Sequence, residues 1–479
     1  METLAKIISK ICAVFWGDLF TIPLPGGNRL GISLLVLLLI PTGIYFTIRT
    51  AGLLIRKFPS MLRITAEPKK GKDSGAISGI QSLIVSTATR VGMGNLMGVV
   101  TAISLGGAGA VFWMWLTAFL GSSTAFIEGT LAQLHKRKDP LYGGYQGGPA
   151  YYIHDFAEKQ RKKKLKKSIV AVLFAISGLI CWGGISQVIS NSVAGAFEIS
   201  FHIPPLYTTL VLVALAAVIV LRKKATVKVL DVMVPIMAAI YFVLTLVIIA
   251  VNVKELPSVF GRIFSEAFGF RQAVAGGMGA VIMNGVKRGL FSNEAGSGSA
   301  PCAAAAAETD HPAKVGLLQA FGVFIDTIVI CTCTAMILLL VPQSATAGIE
   351  NGTELLMVAM SHHMGFAGEI FMSVTLFLFC FSTFLGVLYY ARSNVAYLFG
   401  SNWTSQTVYK IFALIMLFIG GLAAYYFVWD LSDIGIALMT VFNLLVILPM
   451  GGEALRSLKD YERIEKEQRK ARKAAKKSK

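Results

Sequence analysis

Residues 90–98 read RVGMGNLMG. They interrupt ISGIQSLIVSTATRVGMGNLMGVVTAISLGGAGAVFWMWLTAFL (77–120), a run otherwise built of apolar and small residues and long enough to enter a membrane. Glycine is a poor helix former, and a guanidinium is costly at bilayer depth. A second stretch, GVKRGLFSNEAGSGSAP (285–301), has the same character. Non-helical backbone inside a bilayer survives only where it is buried in protein or lines a water-filled cavity. The two stretches therefore mark a site. The main alternative for the first is a close-packing face, with Gly94 and Gly98 in small-xxx-small spacing. The matching break further along weighs against it. A dinucleotide fingerprint is excluded, because the third glycine of GMGNLMG falls one residue late and no strand precedes it.

The whole chain reads as a membrane protein. Of 479 residues, 55% are hydrophobic and 15% charged, against roughly 25% charged in soluble domains. Eleven apolar spans are expected, near 31–50, 77–104, 108–135, 168–197, 206–222, 228–252, 273–305, 312–342, 365–399, 407–428 and 432–451. A span needs about 20 mostly apolar residues. The first twenty residues lack the n-region and cleavage site of a signal peptide, and 1–30 is expected to lie at the membrane interface.

The net charge of +18 sits mainly in loops: 56–72, HKRK (135–138), KQRKKKLKK (159–167), RKKATVK (222–228) and the tail RKARKAAKKSK (469–479). With eleven spans these all fall on one side, and most opposite loops carry no Lys or Arg. Basic loops are cytoplasmic. The expected topology has the N-terminus outside and the C-terminus inside, in the cell membrane. Attraction to anionic lipid headgroups explains the charge, and nucleic acid is not an expected partner. The six cysteines include no CxxC pair, so neither a zinc site nor a disulfide framework is expected.

The breaks fall in the second and seventh spans, five spans apart, and those spans enter from opposite sides. This is the pattern of an inverted-repeat secondary transporter with its site at mid-membrane between discontinuous helices. The fold class is all-α and polytopic: an accessory helix at 31–50, five-helix repeats at 77–252 and 273–451, and a basic tail at 452–479. The N–H end of a broken helix favours a carboxylate, and the carbonyl end favours an ammonium or alkali cation. A small zwitterion satisfies both. No catalytic dyad, nucleophile elbow or metal spacing argues for an enzyme, and no filter motif argues for a channel.

The sequence resembles the alanine/glycine:cation symporters, the sodium:alanine symporter type. The resemblance rests on RVGMGNLMGVVTAI (90–103), GGAGAVFWMWLTAFLGSSTAFIE (106–128), GGPAYYI (147–153), SQVISNSVAG (186–195), GVKRGLFSNEAGSGSAPCAAAAAETDHP (285–312), GVFIDTIVICTCTAMILLL (322–340) and VWDLSDIGIALMTVFNLLVILP (428–449). It implies a leucine-transporter-type fold and import of small neutral amino acids, alanine and glycine above all. Sodium, or protons as the alternative, would drive the import, with no other cofactor. A single chain builds such a site, which is compatible with a monomer.

By the same resemblance Gly92, Met93, Gly94 and Asn95 face the substrate carboxylate, and Gln187 lines the pocket. The second break is expected within Gly289, Leu290, Phe291, Ser292 and Asn293, whose carbonyls would receive the ammonium. Ser292 and Asn293 are alternatively helix caps. Sodium would be held by the carbonyls of Ala88 and Val91 and the hydroxyls of Ser382 and Thr383, neutral oxygens that suit a hard cation. Such hydroxyls alternatively bond back to their own helix. Met93 stands where the family usually has threonine. Val387, Ala391 and Arg392 stand at its tryptophan, glycine and glutamate positions. Val387 leaves more room, so serine or a larger neutral amino acid enters the expected range. Among the other charges in or beside spans, Glu128, Lys287, Arg288, Glu294 and Asp326 are expected to form ion pairs or gates, with a proton relay as the alternative. Arg90 is expected to pair with one of the carboxylates.

Overall fold

The structure, a computed structural model, describes residues 2–23, 29–67, 77–222, 226–269, 277–346, 348–349 and 352–477. Basic residues 69, 70, 72, 223 and 224, and the start of the seventh expected span at 273–276, lie outside the described residues.

Helix α1 (Glu2–Trp16) leads into a hairpin of strands Asp18–Pro23 and Arg29–Ser33. Ser33 then caps α2 (Leu34–Arg49) by accepting from the Val36 N–H at 3.3 Å. After a turn at positive-φ Ala51 and Gly52, α3 (Leu53–Thr65) departs at 69°.

The first repeat opens with α4 (Gly79–Arg90), which starts from a capping box in which Ser78 and Gln81 satisfy each other's backbone N–H groups. Such a box supplies acceptors for otherwise orphaned donors. A π-helical turn at Gly94–Gly98 and α5 (Val99–Gly106) complete this segment. There follow α6 (Gly109–Leu134), a short α7 (Pro149–Arg161), α8 (Ile169–Phe201), α9 (Pro205–Val220) and α10 (Thr226–Val251). Gly107 at φ 70° turns the chain into α6. The carboxylate of Glu266, in α11 (Leu256–Ala267), accepts the N–H groups of Ala108 and Gly109 there at 2.6 and 3.3 Å, where the helix dipole favours an anion.

The second repeat opens with α12 (Gly277–Asn293) and, after a gap, α13 (Pro301–Ala306). Next comes a long span made of α14 (Pro312–Val323), a π-helical middle at Phe324–Cys331, and α15 (Thr332–Leu339). A single turn α16 (Gln343–Thr346) and α17 (Gly352–Met364) precede α18 (Phe366–Phe399), α19 (Trp403–Gly421) and α20 (Tyr425–Lys477). The second helices of the two repeats, α6 and α14, pack on each other, and so do the third, α8 and α18.

Close packing comes from small residues, as expected where lipid offers helices no hydrophobic drive to associate. A Cβ on Gly184 or Gly435 would strike backbone across the α8–α20 contact, and one on Gly420 would strike Gln187 across α8–α19. Large apolar side chains such as Val211, Leu215 and Val218 on α9, and Ile240, Val243 and Val247 on α10, point outward. They form the surface that lipid would cover.

Several boundaries differ from the sequence expectation. Among the described residues, seven helices are individually long and apolar enough to cross a membrane, or eight if α2 and α3 make one bent span. The remaining expected spans are short (α9) or interrupted (α4–α5 and α12–α13), so eleven uninterrupted spans are not seen among the described residues. Most of GGPAYYI (147–153) lies in the first turns of α7, and a further helix, α17, stands before α18. The basic tail is no separate segment but the end of α20. There Glu465 accepts from Lys57, Ser60 and Arg63 of α3 at 3.1, 2.7 and 3.1 Å. Helix α1 packs against α20, with Cys12 and Trp16 buried.

Candidate substrate site at the paired helix breaks

Helix α4 ends at Arg90. Val91 turns out of the helix at ψ 76°, although its N–H still reaches the Thr87 carbonyl at 2.6 Å. Asn95 holds the turn: its Oδ1 accepts the Gly92 N–H at 3.0 Å. The Met93 N–H donates to the hydroxyl of Thr383 on α18 at 3.2 Å. Glycine is required at 92, where a Cβ would lie 1.8 Å from that hydroxyl.

The second break lies later than expected. Gly289–Asn293 form the last turn of α12, and the chain leaves the helix at Glu294, which has φ 56°. A non-glycine residue at positive φ is held there by its surroundings. Gly296 and Gly298 continue the loop at φ 96° and 81°. Ser292 and Asn293 are not caps of α13, which begins after Ala300. Instead Asn293 Oδ1 accepts the Ala295 N–H at 3.0 Å, while its Nδ2 is buried without a partner among the described residues. Glu128 of α6 braces the loop by accepting the Gly296 N–H at 3.0 Å and the amide of Asn443, which in turn donates to the Gly296 carbonyl at 2.9 Å.

The breaks touch. A Cβ on Gly94 would lie 3.1 Å from Ser292 Cα. Buried Asp326, in the π-helical part of the α14–α15 span, ties them together. Its carboxylate accepts from Asn95 Nδ2 at 2.7 Å, Ser292 Oγ at 2.9 Å and Thr327 Oγ1 at 2.6 Å. Thus two π-helical segments meet through one Asn–Asp pair. π-bulges, which leave backbone groups misaligned, are frequent at functional sites.

The expected site residues separate into groups. Gly92, Met93, Gly94, Asn95, Ser292 and Thr383 come together. Ser382 and Thr383 both donate back to the Phe379 carbonyl, at 2.8 and 2.9 Å, while Thr383 also reaches the first break. Val91 and Val387 are buried; Ala88 lies in the last turn of α4. Gln187 donates to Met416 Sδ on α19 at 3.7 Å, and its Oε1 is buried without a partner among the described residues. Gly289 faces Thr117 of α6, Leu290 lines a small cavity with α2 and α6, and the Phe291 ring lies 5.0 Å from Trp429.

The ion-pair expectation divides too. Lys287 and Arg288 share Asp433 of α20, at 2.7 and 3.0 Å. Arg288 also lies over the Trp429 ring at 4.4 Å, and the Trp16 indole N–H donates to the Asp433 carbonyl at 3.2 Å. Arg90 makes no ion pair with a carboxylate among the described residues. It is buried, donates to the Gln319 carbonyl at 3.2 Å, and acts on Glu128, Glu294 and Asp326 only through its field. Gly322 lets it sit there, for a Cβ would come within 2.7 Å of the guanidinium. Sequence reasoning missed Asp433, Asn443 and Tyr390 as partners. The first two were signalled by polar letters within an apolar span.

Two interrupted helices that touch each other, each opening a five-segment repeat, give a fold of the leucine-transporter type. The fold is also that of MhsT solved in complex with L-phenylalanine, which matches with a TM-score of 0.53 at 13% identity over 80% of this chain and 89% of that one. Residues 27–476 match the sodium:alanine symporter family, and the chain belongs to that family of transporters. Among its relatives are a probable sodium/glutamine symporter, GlnT, of Bacillus subtilis, 41% identical over 91% of this chain and 89% of the relative. The sodium/alanine symporter AgcS of Methanococcus maripaludis is 37% identical over 91% and 96%.

Proposed function

We propose that this protein imports small neutral amino acids together with sodium by alternating access, in the cell membrane, with its N-terminus outside and its C-terminus in the cytoplasm. The observation that carries the reading is the contact of the two breaks through Asn95, Ser292 and Asp326. It supports a reading in which backbone from both repeats faces one small zwitterion. The N–H groups beginning the segment after Val91 suit the carboxylate, and the carbonyls ending α12 suit the ammonium. Sodium is a second cargo. Thr383 already touches the first break, and its hydroxyl, that of Ser382 and the carbonyls of Ala88 and Val91 offer only neutral oxygen, as a hard cation prefers.

Alanine, glycine and serine are the proposed substrates. Val387 and the name of the glutamine relative extend the range to larger neutral amino acids. Proteoliposomes with an inward sodium gradient test the reading. Labelled alanine, glycine, serine and glutamine are supplied in turn, with potassium and proton gradients as controls. Accumulation of at least one of them with sodium is expected. Absence of gradient-driven accumulation of any contradicts the proposal, and accumulation with the proton gradient alone transfers the coupling to protons.

A further inference from the structure

Three carboxylates are buried at the breaks, and they are not equally supplied with donors. Both oxygens of Asp326 and both of Glu128 receive donors. Glu294 differs. Its hydrogen bonds run through Oε2 alone, from Tyr390 OH at 3.1 Å and Thr89 Oγ1 at a marginal 3.5 Å, with none at Oε1 among the described residues.

The protons around Glu294 can be counted. Thr89 Oγ1 donates to the Ser86 carbonyl at 2.9 Å, which uses its only proton. The hydroxyls of Thr89 and Tyr390 are hydrogen-bonded to each other. With Thr89 committed, the proton in that bond is Tyr390's. Nothing is then left to donate to Glu294. The row Glu294, Tyr390, Thr89, Ser86 carbonyl has three links and only two hydroxyl protons. A buried polar contact without its proton is unfavourable.

We propose that Glu294 is a proton-binding site. A proton on its carboxyl supplies the missing link and orders the row in one direction, from Glu294 to Tyr390 to Thr89 to Ser86. When the proton leaves, Tyr390 turns its hydroxyl to the carboxylate and gives up Thr89. The proton thereby decides whether α18 is tied to α4, at Thr89 two residues before Val91 turns out of the helix, as well as to the second break: with the proton both links stand, and without it only the one from Tyr390 to Glu294 remains. The charged and titratable groups acting on Glu294 from neighbouring elements are Arg90 of α4, Asp326 of the α14–α15 span and Tyr390 of α18; Cys181 of α8 and Cys302 of α13 also feel its charge. This site deepens the transporter reading and rests on it for its use in the cycle, though proton binding itself does not.

Infrared difference spectra of the purified full-length protein across a pH titration test the site directly. A carbonyl band of a protonated carboxyl is expected to disappear as the pH rises, and to be missing in Glu294→Gln. Tyr390→Phe keeps the carboxyl but removes its partner, so the band is expected to shift in frequency. A wild-type spectrum without a titrating carboxyl band, or a band unchanged in both variants, overturns the assignment. Sodium-driven uptake, measured separately in proteoliposomes, keeps the two proposals apart. A titrating Glu294 band without uptake breaks only the function, and uptake without that band breaks only the proton site.

Discussion

The two helix breaks solve the same problem with different chemistry. The first spans about three residues and is closed by neutral groups, the Asn95 amide and the Thr383 hydroxyl. The second runs from Glu294 to Ala300, needs three positive-φ residues, and is braced by the carboxylate of Glu128 with Asn443. A short break held by neutral side chains leaves carbonyls and N–H groups for a ligand. A longer loop must be held by stronger, charge-assisted bonds. Under the proposed function, the first break chiefly binds, while the loop after α12 holds the geometry behind the α12 carbonyls and responds to charge. Outside both, the cations of α12 share the carboxylate of Asp433, whereas Arg90 at the first break has no such carboxylate partner among the described residues.

The largest expected effect tests that last contrast. Asp433→Asn strands both Lys287 and Arg288, and breaking a buried ion pair on one side costs about 3–5 kcal/mol. The thermal midpoint of the purified protein is expected to drop further than in Asn95→Ala or Glu128→Gln. Asn95→Ala comes next. It removes bonds to Gly92 and Asp326, at about 1 kcal/mol each for neutral partners and about 1.5–3 for a charged one. Uptake is expected to fall at least about tenfold, because the link between the breaks is lost. Glu128→Gln keeps an acceptor for Gly296 but loses the charge, so a destabilisation of roughly 1–2 kcal/mol is expected. If Asn95→Ala and Glu128→Gln have interchangeable effects on uptake and stability, the division of labour between the breaks is wrong.

Much of this was legible in the sequence. The two breaks and the helical repeats they open follow from glycines and charges placed against membrane-length apolar runs, because bilayers tolerate few arrangements of polar backbone. The position of the second break was misjudged, since Gly289–Asn293 resembles a helix end while the helix in fact continues one turn. Glu294, not a glycine, begins the exit, and only tertiary contacts hold it there. The meeting of Asn95 with Asp326 could not be read from pattern, because it joins residues 231 positions apart. The solitary Arg90 went against expectation for a related reason. A buried cation can be supported by a carbonyl and by the field of several carboxylates, and spacing along the chain does not distinguish that from a pair.

Smaller effects sharpen the comparison further. Under the proposed function, Val387→Leu on α18 takes room from the substrate site, so uptake of the largest accepted amino acid relative to alanine is expected to fall about tenfold. Away from the breaks, His135 at the C-terminal end of α6 joins α7 and α20. Burial opposes its charge, but hydrogen bonds to Asp155 and Glu453, at 2.9 and 3.0 Å, outweigh that and raise its pKa above the ordinary histidine value. A raised value means that the charged link is at full strength below the unfolded pKa and is lost as pH rises through the folded one. His135→Gln is expected to lower the thermal midpoint at acidic pH and to leave it nearly unchanged at alkaline pH. Equal loss at both would assign His135 a packing role only.

The central claim is that the first break and α18 together hold sodium beside an amino-acid site. It is tested most directly by equilibrium binding of labelled alanine, and of glutamine, to the purified protein in sodium and in potassium. The double variant Ser382→Ala with Thr383→Ala is measured beside the wild type. The account predicts sodium-dependent binding in the wild type that falls at least about tenfold in affinity in the double variant. Binding with the same sodium dependence in both proteins would contradict it.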